Sequence, residues 1–364
     1  MKEILQRYTL QLFGFLLLIT FGCSSSDGDY EDIKVSPVVV DLTQVPYATL
    51  SEYKFFDGLL KNQKPAYGVL PYQPASELFT DYADKKRFLW LPKGTKATYN
   101  EAGKIIEFPI GSALIKTFYY SNSQPTNTAR LIETRVMIKK QTGWIYAEYV
   151  WNETQTEAVY QMGGSTLPIS WKNASGELKS ATYRIPSKQE CATCHTVSNN
   201  NTPIGIKPQN INFELNYDGM SKNQLAKLIE FGYLENNLPT TITSTVNYKD
   251  TSKSLNLRVR SYFDSNCAHC HQDGGHASAY ILRFAFDKTN SSPNLGICLP
   301  ASHAVPGNPA TTLVKPFDTN RSLLFYRVTT NDLNYRMPYL GRTIRDEESI
   351  VLISEWINSL TGCE

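Results

Sequence analysis

An α+β fold, β-rich over residues 46–185 and mainly helical beyond, is what this sequence predicts, and three observations carry the prediction. In the first part, apolar residues come in short runs rich in β-branched and aromatic types, with period-two alternation. Beyond residue 185 the period lengthens to that of amphipathic helices. The chain has 364 residues, 41% apolar and 19% charged, which is enough for more than one domain with a real core.

Taken in order, "RFLWLPKGTKATY" (87–99) and "ALIKTFYY" (113–120) predict strands. "TRVMIKKQTGWIYAEYVW" (134–151) predicts a hairpin turning at Gln141, Thr142 and Gly143. In its second arm Trp144, Tyr146, Glu148 and Val150 share one face, and Ile145, Ala147, Tyr149 and Trp151 the other. A strand with apolar bulk on both faces belongs inside a sandwich or a covered sheet. After "YRIPSKQECATCH" (183–195), Ser221 is placed as the N-cap of "KNQLAKLIEFG", with Leu225, Leu228 and Ile229 on one face and Gly232 as the stop. "LRVRSYFDSNCAHCH" predicts a second helix through Val259, Tyr262 and Phe263, running into cysteines. A last helix follows Asp346, where Ile350, Ile353, Trp356, Ile357 and Leu360 make a continuous apolar stripe.

The amino terminus has a different character. Lys2 and Arg7 precede "LFGFLLLITFGC", an apolar run too short for a membrane span, and "SSSDGDYED" follows Cys23. The stretch resembles a bacterial lipoprotein signal: residues 1–22 would be removed, Cys23 lipidated, and 23–45 left as a tether. The resemblance implies an exported, membrane-anchored lipoprotein, periplasmic or at the cell surface. Thr20 and Phe21 depart from the residues usual before such a cysteine. Lys and Arg total 36 against 34 Asp and Glu, which removes the electrostatic case for nucleic acid.

The seven cysteines divide cleanly. Cys23 is the anchor candidate, Cys191, Cys194, Cys267 and Cys270 form two CxxC pairs, and Cys298 with Cys363 could close a disulfide in an oxidising compartment. "CATCH" (191–195) and "CAHCH" (267–271) each add a histidine directly after the second thiol. Covalent haem attachment needs two thiols for the porphyrin vinyl groups and an adjacent imidazole for the iron. Two such motifs in an exported chain point to two c-type haems, with His195 and His271 as proximal ligands. A four-thiolate zinc ribbon would set its pairs roughly 15–20 residues apart, whereas 72 residues lie between Cys194 and Cys267. A redox dithiol wants a βαβ setting that neither motif has.

The second motif ends a helix, and "NYRMPYLGR" with Met337 precedes the last helix, so Met337 is the expected sixth ligand there. On this basis residues 258–364 read as a cytochrome c-like domain and 186–257 as a first haem segment. His269, inside its attachment loop, reads as a solvent-edge residue, and His276 as a surface histidine. For the first iron the sixth ligand stays open: Met220 reads as helix-edge packing, His303 could arrive from a distant loop, and Met137 and Met162 lie in the β-rich part.

With these motifs, and with "ELFTDYADKKRFLWLPKGTK", "EFPIGSALIKTFYY", "YVWNE", "RSLLFYR" and "RMPYLGR", most of the chain after the tether resembles a family of two-haem c-type cytochromes of bacterial envelopes. It departs from that family in carrying "VKPFDTNRSLL", with "PGNP" displaced upstream, where a Pro-Gly-x-Pro-x-x-Ser turn is usual. The resemblance implies haem binding and electron transfer with an envelope redox partner, and it hints at a dehydrogenase. Two other functions fit the sequence: a two-haem peroxidase with an open face at the first iron, and a surface binding module with ancillary haems.

Overall fold

Eight antiparallel strands build the centre of the molecule: β1 (Leu70–Pro71), β2 (Asp84–Trp90), β3 (Ala113–Ser123), β4 (Thr128–Lys140), β5 (Gly143–Trp151), β6 (Ala158–Tyr160), β7 (Gly163–Lys172) and β8 (Leu178–Ser187). The first six lie in sequence order, and β7 pairs with both β3 and β8. The computed structural model describes residues 34–363, of which those from Ser36 onward form one compact unit. The signal segment 1–22, the lipidation candidate Cys23 and the first part of the tether lie outside the described residues.

Alternation in the strands gives the sheet two apolar faces. Phe88, Ile115, Val136 and Ala147 point to one side and pack with Leu50, Tyr53, Phe55 and Val69. Ser36–Val45 runs beside this core: Val45 is buried, and the Trp90 indole donates to Ser36 Oγ at 3.0 Å. Leu89, Leu114 and Met137 point to the other side, against Ile206, Ile211, Leu225 and Leu228.

The mainly helical, cytochrome c-like region expected after residue 185 is not what forms. Six α-helices occur among the described residues: α1 (Lys188–His195), α2 (Pro208–Ile211), α3 (Gln224–Glu230), α4 (Leu255–Asn266), α5 (Leu323–Thr329) and α6 (Glu347–Ser359). Only α4 and α6 exceed ten residues, so sheet and loop dominate. The physical reason is that helical periodicity is confined to those two segments. Residues 267–322 between them are rich in Gly, Pro, Asn and Ser, which favour turns. No helix among the described residues is long and apolar enough to cross a membrane.

Ser221 does not cap a helix. It lies in a ribbon of β9 (Glu214–Tyr217) and β10 (Met220–Asn223), joined by Asp218 and Gly219, both at positive φ as a type I′ hairpin turn requires. Its hydroxyl donates to Glu214, and Asn223 caps α3 by accepting from Leu225 N and Ala226 N. Met220 is 70% exposed on the ribbon and packs no helix edge. The two long helices meet as their apolar stripes dictate, with Phe263 of α4 edge-on to Trp356 of α6 at 5.7 Å.

Candidate functional site

The second sheet face is not apolar throughout. In register across four strands, Arg87 faces Lys116, Lys116 faces Arg135, and Arg135 faces Glu148. Charges buried in this way are costly unless they are paired. Arg87 pairs with Glu77 at 3.0 Å, and Arg135 Nε donates to the buried Glu133 at 3.1 Å. Among the described residues Lys116 has no carboxylate partner, and its ammonium lies over the Phe118 ring. Burial, and then the charges of Arg87 and Arg135, push its pKa well down. Glu148 is 1% exposed and both its carboxylate oxygens lack a partner.

Over this row sits a cavity of about 130 Å³. Its walls include Lys116, Arg135 and Glu148 from the sheet, Cys191, Cys194 and His195 from the first motif, and His269 from the second. Pro338, Leu340 and Gly341, just past Met337, close another side. Three buried polar groups on these walls are unpartnered: the Glu148 carboxyl, Thr80 Oγ1 and His269 Nδ1. Orphaned buried groups gathered on one cavity are a mark of a ligand site.

The first motif is positioned by its helix. Ser187 and Glu190 form a capping box that starts α1, and Arg184 holds Glu190 at 2.8 Å. The motif fills the helix to its last residue. There the His195 carbonyl accepts from Thr202 N at 2.6 Å, and His195 Nδ1 meets the Thr202 carbonyl at 2.9 Å. A carbonyl only accepts, so Nδ1 carries the proton and Nε2 keeps its lone pair. Burial, outweighing the Thr202 bond, pushes the His195 pKa down to about 3, so the ring is neutral at pH 7. That is the arrangement of a metal-binding histidine whose orientation is set from behind.

The second motif hangs from α4. Asn266 accepts from Phe79 N at 2.7 Å and donates to the Glu77 carbonyl, which ties the helix end to the segment leading into β2. Cys267 closes the helix, and Cys270 N and His271 N both donate to its carbonyl. His271 lies edge-on to Phe284 at 5.2 Å with its Nδ1 buried and unpartnered. Burial first, then the charges of His269 and Arg283, push its pKa down to about 4.

Met337 is half-buried. Its N–H donates to the Arg327 carbonyl at 2.7 Å, and Arg327 is close enough for its charge to act on His271. Met337 is not on the walls of the cavity that holds His195. Cys298 and Cys363 are joined as a disulfide. His276 and His303 are exposed, with His303 against Tyr280 and not on the walls of the cavity that holds His195. His269 departs from its expected solvent-edge place: a ring nitrogen, Cys194 Sγ and Cys270 Sγ all lie within 4.8 Å of one another. In the sequence only β3 and β5 show a lone charge amid apolar neighbours, Lys116 and Glu148, whereas β2 and β4 each carry several, so the row is not visible strand by strand. Comparison with protein-family models, curated proteins and solved structures returns no match.

Proposed function

We propose that this protein is a two-haem c-type cytochrome that carries electrons in a bacterial cell envelope, held there through a lipid on Cys23. The observation that carries this reading is His195, with its Nδ1 committed to Thr202 and its Nε2 left bare on a cavity shared with Cys191 and Cys194. Cys191 and Cys194 would hold one porphyrin and Cys267 and Cys270 the other, with His195 and His271 on the irons and Met337 as sixth ligand to the second. The haems supply one-electron redox chemistry. The chain supplies ligands, burial and charge, which set the potentials. Arg336, beside Met337 and with a buried unpartnered Nε, is the candidate cation for a propionate. An envelope redox partner, a dehydrogenase by the family resemblance, would exchange electrons with the pair.

The test is expression with c-type haem maturation machinery. Two haems per chain by pyridine haemochrome are expected, falling to one in Cys191→Ala/Cys194→Ala and to one in Cys267→Ala/Cys270→Ala. A chain that matures without haem defeats the reading. A second reading is favoured by the Cys194, His269 and Cys270 cluster, whose donor set suits zinc or copper. Elemental analysis separates the two: stoichiometric zinc or copper without iron selects the second.

A further inference from the structure

The loops of the two motifs touch at two independent places. At the first, the sulfurs of Cys194 and Cys270 lie within 4.8 Å of each other, with a nitrogen of His269 within 4.8 Å of both. At the second, Ser198 N donates to the Gly274 carbonyl at 2.9 Å. Gly274 has φ +73°, and a Cβ there would stand 2.2 Å from Ser198 Oγ and 2.9 Å from Ser198 N. Any side chain at that position would force the loops apart, so the glycine is what allows the approach. The sequence separates the motifs by 71 residues, and the fold brings them into contact.

Resting on the two-haem reading, we propose that the protein holds its haems as one edge-to-edge pair, joined where the thioethers of Cys194 and Cys270 meet. Each thioether sulfur is bound to a carbon that is itself attached to the porphyrin rim. Two sulfurs within 4.8 Å therefore place the vinyl-derived edges of the two macrocycles side by side. The iron-to-iron distance cannot exceed the two iron-to-sulfur spans plus that gap. His269, projected from the second motif onto the cavity of the first, is the side chain at the joint. The step between the haems is a single electron transfer: one iron is oxidised by one unit and the other reduced by one, with no bond broken and no proton moved. The pair would then store two electrons as one coupled unit.

The experiment uses the full chain matured with haem. A pyridine haemochrome count below two defeats the two-haem reading and the pair with it. With two haems bound, circular dichroism in the Soret region is expected to show a two-signed couplet from the adjacent chromophores. A single-signed band from a protein carrying both haems overturns the pair and leaves the two-haem reading standing. Cys191→Ala/Cys194→Ala, with one haem left, should lose the couplet completely; a couplet that persists there also overturns the proposal. Gly274→Val should keep both haems and lose most of the couplet. Should Gly274→Val fail to fold, the wild type against the one-haem variant still decides.

Discussion

Lys207 donates to Asp264 across 2.9 Å, and this buried pair ties the helix carrying the second CxxCH motif to the segment that follows the first. Asp264 also accepts from Asn210 at 2.9 Å and from Phe286 N at 3.0 Å, so two separate stretches of chain converge on one carboxylate of α4. Burial alone would raise its pKa, but Lys207, Phe286 N–H and Asn210 outweigh burial and hold it below the ordinary carboxylate value. A depressed carboxylate stabilises the fold above its unfolded pKa, about 3.9, and this contribution is lost as pH falls through the folded value. Asp264→Ala should cost roughly 3–5 kcal/mol at neutral pH, because it leaves Lys207 without its partner. Urea unfolding should show the gap to wild type widest at neutral pH and shrinking below about pH 4.

Glu148 is expected to behave in the opposite sense. Burial first, and then the neighbouring Glu133 charge, raise its pKa far above the usual range, so the folded protein keeps a proton that the unfolded chain releases. Its contribution to stability therefore falls as pH rises above the unfolded value, about 4.3. Glu148→Gln should flatten the decline in melting temperature with rising pH and leave the variant no less stable at neutral pH. A variant that keeps the wild-type slope would show that Glu148 is ionised in the fold.

On the two-haem reading, Met337→Ala should leave both haems in place and lower one of two midpoint potentials by on the order of 0.1 V, a fraction of the range that axial ligands span. Redox titration of wild type and variant reads this directly. Two unchanged potentials would remove Met337 from the ligand set.

The Cys298–Cys363 disulfide encloses Met337, α5 and α6 in a loop with a sequence separation of 65. Replacing both cysteines by serine should cost about 4 kcal/mol by the chain-entropy relation for a loop of this length. Denaturation with and without reductant measures it: wild type under reduction should match the variant.

How much of this was legible in the sequence follows from the range of each signal. Strands β3, β4 and β5 and helices α4 and α6 announce themselves through periods of two and 3.6 residues, which are local. The Asp218-Gly219 turn was equally local, and it marks the ribbon that replaced the expected cap at Ser221. The row from Arg87 to Glu148 depends on register between strands, so no single strand displays it. His269 is the sharpest case. Its place is set by the loop of Cys194, 75 residues upstream, and its own motif alone points it outward.

The closeness of the two motifs also sets an order of events. In the finished fold burial pushes the Cys191 and Cys267 thiols up to about 12, and the neighbouring Cys270 sulfur together with burial raises Cys194. Thiols so shielded are poor nucleophiles. On the two-haem reading, attachment has to be complete while the chain is still open. The haems then become part of what the sheet and helices close around, and a chain that closes first has shut its own door.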